Sequence, residues 1–179
     1  YVDIAYQITR FEKLIIATRD IDECRGDLER ISAAKGIELD YDRISFFQTP
    51  LNDTWARDHG GISVYGDEGE KYLYDFVFNG WGLKFASNLD NQITRNLFNQ
   101  GAFAPDVIGV DMRPYVLEGG SIDSDGAGTM LTTTECLCSL NRNEYLSKEE
   151  IEQELCGAFG LERILWLDYG TIIGDDTDS

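Results

Sequence analysis

An α/β fold of repeated units is what this sequence predicts, on three observations: helical segments that open on capping signals, an apolar strand after each helix, and double glycines at nearly constant spacing. The first helix opens at Asp20 with Glu23 three residues on. It sets Ile21, Cys24, Leu28 and Ile31 on one face and stops at Gly36. The second is predicted from Ser87, with Asp90 three residues on, through Leu89, Ile93 and Leu97 to Gly101. The third opens at Ser147, where Glu150 completes a capping box, carries Ile151, Leu155 and Phe159, and stops near Gly160.

Each helix leads into a strand: Ile44 to Phe47, Val107 to Val110, and Ile164 to Leu167. After each strand comes an acid-bearing loop, TWARDHGG from Thr54 to Gly61, then VLEGG from Val116 to Gly120, then GDDTDS from Gly174 to Ser179. The first two run on into hairpins. Ile62 to Val64 turns at YGDEGE into Tyr72 to Tyr74, and Ser121 to Asp123 turns at SDGAG into Met130 to Thr132. The caps Ser87 and Ser147 lie sixty residues apart, and Gly60-Gly61 and Gly119-Gly120 fifty-nine.

The unit is therefore strand, loop, strand, strand, helix, over about sixty residues. Such a unit cannot cover its own apolar faces, so several are expected around a common axis or along a stack. One domain over 1–179 is expected, with units at roughly 10–50, 51–110 and 111–167 and a fourth begun at 168–179. Since the last copy breaks off in its loop, the chain is expected to be the N-terminal part of a longer polypeptide, whose uncovered end faces would favour a homo-oligomer. A doubly wound sheet is not expected, because each unit has one helix to several strands and no Gly-x-Gly-x-x-Gly follows the first strand.

The charge of −18, from 33 acids against 15 bases, argues against nucleic acid, which needs clustered Lys and Arg. A cationic ligand suits it better. No apolar run approaches a membrane span, and no membrane partner is expected. The four cysteines, Cys24, Cys136, Cys138 and Cys156, are too few and too irregular for a disulfide framework or a two-pair zinc site, so a reducing, cytoplasmic compartment is the default. Cys24 and Cys156 read as core residues, and Cys136-Leu137-Cys138 alternates as a strand end does.

In a closed repeat, equivalent loops point the same way, bringing together Asp58, Glu118 and one of Asp175, Asp176 or Asp178. Carboxylates so placed raise one another's pKa unless a cation answers them. The answer is a metal ion, an internal arginine such as Arg57, Arg113 or Arg142, or a cationic substrate. The calcium pattern fails: with Gly126 as the sixth loop position, the twelfth falls on Thr132 instead of a bidentate Glu, and Asp125-Gly126 reads as a hairpin turn. No metal and no cofactor is expected. A guanidinium fits the residue types, since two carboxylates can each take a bidentate pair from its planar fork while Trp55 lies against its face. Against this stand a core role for Trp55 and a salt bridge from Asp58 to Arg57.

Several segments together resemble the agmatine deiminase and bacterial peptidyl-arginine deiminase family. They are Trp55-x-Arg57-Asp58-x-Gly60, Asp75-Phe76-Val77-Phe78-Asn79-Gly80-Trp81-Gly82, Leu117-Glu118-Gly119-Gly120-Ser121-Ile122, Asn141-Arg142-Asn143, and Gly174-Asp175-Asp176-Thr177-Asp178. The resemblance implies a pentein-type α/β-propeller of five ββαβ units, about three of them in this chain. It also implies hydrolysis of agmatine to N-carbamoylputrescine and ammonia, or the same reaction on an arginine side chain, through a cysteine thiouronium intermediate. By motif match Asp58 is a carboxylate that holds the guanidinium, Trp55 lines the site, and Glu118 is a further pocket acid. The family's catalytic histidine follows the Gly-Asp-Asp-Thr-Asp motif and its cysteine lies near the end of the full chain, so His59 and the four cysteines here match neither. The isolated chain is expected to be inactive. The rival expectations are a non-catalytic acidic module that binds a cation or a partner, and a related guanidino chemistry such as amidino transfer or dimethylarginine hydrolysis.

Overall fold

Among the described residues, 1–170 and 173–174 of a computed structural model, eight strands, seven α-helical segments and three 3-10 turns make up the fold. Asp175, Asp176 and Asp178, expected beside Asp58 and Glu118, lie outside those residues. Two compact units emerge, one from Tyr1–Leu51 with Arg95–Pro105, the other from Asn52–Thr94 with the chain from Asp106 onward.

The first unit is a βαβ element preceded by a helix, α1 (Val2–Thr9). Strand β1 (Leu14–Thr18) runs parallel to β2 (Ile44–Gln48), in register from Leu14 with Ile44 to Thr18 with Gln48. Helix α2 (Ile21–Lys35) crosses between them. It begins and ends where the sequence places it, since the Asp20 carboxylate accepts the Glu23 N–H at 2.9 Å and Gly36 closes the helix in the left-handed region at φ 67°. Val2, Ala5, Leu28, Leu39 and Ile44 are buried together, and Cys24 packs against them.

The second unit repeats one pattern twice. After the single turn α3 (Ala56–His59), β3 (Ile62–Tyr65) pairs antiparallel with β4 (Lys71–Val77). The chain then passes the short turn α4 (Gly80–Leu83) and helix α5 (Ile93–Asn99), which from Arg95 on belongs to the first unit, and returns as β5 (Val107–Val116), parallel to β4. The second copy has β6 (Ile122–Ser124) antiparallel to β7 (Thr129–Thr133), the turn α6 (Thr134–Leu137), helix α7 (Lys148–Phe159) and β8 (Arg163–Leu167) parallel to β7. Each copy runs hairpin, helix and parallel return. The side chains of both sheets and α7 share one core, in which Phe76, Leu117, Met130, Leu137, Ile151 and Leu155 are buried.

Two local expectations are corrected. The helix predicted from Ser87 starts at Ile93 after a 3-10 turn over Asp90–Gln92, because the Asp90 carboxylate is committed elsewhere: it accepts the backbone N–H groups of Asn52 and Asp53. Cys136 lies in the helical turn α6 and not at a strand end, since the Thr133 hydroxyl accepts its N–H and caps that turn. The helix at Ser147 forms as predicted, with both bonds of the capping box present. Asp125 is a turn residue: its carboxylate accepts the Ala127 and Thr129 N–H groups at 2.8 and 2.9 Å.

Candidate functional site

The loop that carries Asp58 is latched before it begins. Asn52 Oδ1 accepts the Leu89 N–H at 2.8 Å, while the buried Asp90 carboxylate accepts from Asn52 at 2.6 Å and from Asp53 at 3.1 Å. The chain then makes the single turn α3, closed by the Gly60 N–H on the Ala56 carbonyl. Gly60 and Gly61 are steric necessities here. A Cβ on Gly60 would lie 2.5 Å from the Ala56 carbonyl oxygen, and one on Gly61 would lie 2.8 Å from Leu73 of β4.

Asp58 projects half-buried from this turn, with one donor on each oxygen. The Trp81 indole N–H donates to Oδ2 at 3.2 Å and the Gly120 amide to Oδ1 at 3.1 Å. Arg57 is not its partner among the described residues; that guanidinium donates to the Ile122 carbonyl at 3.2 Å. Trp55, at the N-terminal cap of α3, is 59% exposed, which removes the reading of it as a core aromatic. An ionised carboxylate has about four lone-pair sites, so two neutral donors leave Asp58 capacity for a planar cation.

Trp81 reaches Asp58 from an unusual piece of backbone. Gly80, Trp81, Gly82 and Leu83 all have positive φ, at 72°, 58°, 72° and 67°. The Leu83 and Lys84 amides donate to the Asn79 and Gly80 carbonyls, making one turn of left-handed helix. Two of the four residues are not glycine, and each such residue costs about 1–2 kcal/mol in that region. Glycine relieves crowding at the others, and at Gly80 it is required. A Cβ on Gly80 would lie 2.1 Å from the Phe85 carbonyl oxygen, and one on Gly82 3.0 Å from the Arg142 guanidinium. The turn is held by Asn79, whose Oδ1 accepts the Gly82 N–H and whose amide donates to the Asn141 carbonyl at 2.7 Å. The Trp81 ring is buried edge-on against Phe78 and Phe85, with centroids 5.0 and 5.6 Å away.

Glu118 lies in the corresponding loop before the next hairpin, and its surroundings differ completely. Its side chain and that of Arg142 are both wholly inaccessible, with Arg142 Nε donating to Oε1 and Oε2 at 3.1 and 3.0 Å. The Cys136 thiol donates to Oε2 at 3.5 Å. Burial pushes the Glu118 carboxyl above its ordinary range, and the Arg142 guanidinium opposes that shift. Of the three answers to crowded acids, Glu118 has the internal arginine. Asn143, next to Arg142, bonds both the N–H and the carbonyl of Val116, fixing the strand that leads into Glu118. The glycines that follow approach α3 closely: a Cβ on Gly119 would lie 2.2 Å from the Arg57 carbonyl oxygen, and one on Gly120 2.2 Å from Asp58 Oδ1.

His59 is buried, with its ring 5.9 Å from Phe78, and its Nδ1 has no hydrogen-bond partner among the described residues. Burial pushes its pKa down, against the pull of Asp90 and Asp58. That is a packed neutral imidazole, in keeping with its mismatch to the resemblance. Cys136 is likewise no nucleophile, since burial and the adjacent Glu118 push its thiol up to about 12. Sequence reasoning gave Trp81 no role. The available signal was the glycine on either side of a tryptophan, a spacing that marks backbone forced into a conformation other residues resist.

Asp58 thus draws its two donors from the Asn79-Gly80-Trp81-Gly82 and Glu118-Gly119-Gly120 segments, while Asn141-Arg142-Asn143 holds Asn79, Glu118 and Val116. Fold and site define a mixed α/β protein with one half-buried carboxylate, Asp58, held by two neutral donors. Along residues 1–179 the chain matches the model of the Porphyromonas-type peptidyl-arginine deiminases, and it belongs to that family. It is 34% identical to the agmatine deiminase of Pseudomonas syringae pv. tomato over 99% of this chain and 46% of that protein. A solved structure from Porphyromonas gingivalis is 43% identical with a TM-score of 0.86, covering 99% of this chain and 50% of that one. The agmatine deiminase of C. jejuni with substrate bound is 38% identical with a TM-score of 0.81, covering 99% and 49%. The chain spans about half the length of these relatives. None of the helices among the described residues is long and apolar enough to cross a membrane.

Proposed function

We propose that the whole protein is a guanidine deiminase, taking agmatine to N-carbamoylputrescine and ammonia or acting on an arginine side chain, and that Asp58 is one of the carboxylates that hold the guanidinium. The observation that carries this is the state of Asp58: half-buried, with one neutral donor on each oxygen and no internal cation among the described residues. Relatives whose names give agmatine as the substrate support the choice. In this reading Trp55, exposed three residues before Asp58, lies on the face of the planar cation. Glu118 has both oxygens engaged by Arg142 and is wholly buried, so its part in this reading is to fix Gly119-Gly120 behind Asp58 and not to touch the ligand.

The reaction adds water to the guanidinium carbon and expels ammonia, leaving a ureido group. In this reading the nucleophilic cysteine, the acid-base histidine and a second carboxylate come from outside the chain, and the three sheets described are part of a five-unit propeller. The test is ammonia release by the full-length protein offered agmatine, free arginine and an arginine peptide. Activity on one of them is expected, with Asp58→Asn lowering kcat/KM by about a hundredfold or more, as for loss of a desolvated charge pair. Binding of agmatine without ammonia release would identify a non-catalytic module instead.

A further inference from the structure

We propose that Trp81 is a positioning residue, whose indole N–H, delivered by the left-handed turn Gly80–Leu83, sets the plane of the Asp58 carboxylate so that its remaining lone pairs meet a planar guanidinium. The inference rests on the reading of Asp58 given above.

An aspartate carboxylate rotates broadly about its last torsion, so a single donor does not fix its plane. Here there are two, on opposite oxygens: Trp81 Nε1 at 3.2 Å from Oδ2 and Gly120 N at 3.1 Å from Oδ1. One is backbone, held by the close approach of Gly119 and Gly120 to α3. The other comes from a buried ring clamped between Phe78 and Phe85. Bidentate recognition demands that carboxylate and guanidinium share a plane, which gives this double restraint a purpose.

A simpler explanation is that a buried indole N–H needs any acceptor and Asp58 supplies one. The backbone argues against it. Trp81 and Leu83 are held at φ 58° and 67°, and the turn is braced by Asn79 and crowded by Arg142. Strain of this kind persists where the surrounding structure over-determines it, and it clusters at ligand sites. Hydrophobic packing of a tryptophan does not require a left-handed turn; aiming its N–H at one carboxylate from this side of the chain does.

The experiment uses the full-length protein. Trp81→Phe keeps the ring and removes the donor, and the expected result is a KM for agmatine raised about tenfold, the worth of one charge-assisted hydrogen bond, with a smaller change in kcat. An unchanged KM in a folded, active variant overturns the proposal. Should the variant not fold, the indole N–H resonance of Trp81, assigned in the wild-type protein, decides. It is expected to move in Asp58→Asn, and its failure to move overturns the proposal. A wild-type protein that releases no ammonia from any guanidinium compound sinks the reading of Asp58 and leaves the indole result to be judged separately.

Discussion

Removing the Arg142 guanidinium while keeping the side chain's bulk, as in Arg142→Met, leaves Glu118 as a buried acid facing only the Cys136 thiol. Both partners are wholly inaccessible, so neither can borrow water when the other is lost. Breaking such a pair costs about 3–5 kcal/mol, a large share of a typical domain's 5–15 kcal/mol. The carboxyl escapes by taking up a proton, and this sets the pH dependence. In the variant the folded-state pKa of Glu118 lies above its unfolded value, so the folded state binds more protons and stability rises as pH falls. The deficit against wild type should grow as pH rises above the unfolded carboxyl's range and shrink as the solution is made acidic. Replacing both members, as Glu118→Gln with Arg142→Met, should recover at least half of the loss, because no uncompensated charge remains. Urea unfolding followed by near-ultraviolet circular dichroism at several pH values measures all of this. A single variant within about 1 kcal/mol of wild type at neutral pH, or a double variant no more stable than the single, would refute the reasoning.

The two glycines after Glu118 should respond differently to the same change. Gly119→Ala sets a Cβ against the Arg57 backbone carbonyl, which cannot turn aside, and should destabilise by about 1–3 kcal/mol in thermal or urea unfolding. Gly120→Ala meets only the movable Asp58 carboxylate, so it should leave stability nearly unchanged and raise the KM for agmatine; equal stability losses in the two variants would count against this account. His59, with its pKa pushed down by burial, contributes stability that is present above about 6.5 and lost as pH falls through the depressed folded value, because the unfolded state takes the proton first. The stability of His59→Phe should lack that component, and an identical pH slope in wild type and variant would show that His59 does not cause it.

Much of the fold was legible because its signals are local. Asp20 and Gly36 bound α2, and Ser147 with Glu150 starts α7, since a cap is a bond between residues three apart and needs no knowledge of the rest. The start of α5 was not legible for the opposite reason. Asp90 has the right spacing from Ser87 to cap a helix, but its carboxylate is used by the backbone of residues 52 and 53, a competition that spacing along one segment cannot display. The same limit applied at the site. Asp58 stood out by type and motif, whereas its donors come from residues 23 and 62 positions away. That Arg142, of three named arginines, answers Glu118 depends on the Asn141 to Asn143 segment being laid beside β5, which the pattern of apolar residues does not encode.

The paired fates of Asp58 and Glu118 explain how one repeat can serve both structure and function. The two acids sit sixty residues apart in corresponding loops, close enough that the charge of Asp58 adds to the upward push on Glu118. Two uncompensated carboxylates there would suppress each other's ionisation. Giving Glu118 an internal guanidinium cancels one of the two charges permanently, at a depth where no ligand can compete for it. The partners of Asp58, an indole and a backbone amide, are uncharged and orient it without neutralising it. The protein's own arginine thus occupies one repeat position in the way an incoming guanidinium is proposed to occupy the other, and the difference between them is burial: complete at Glu118, partial at Asp58.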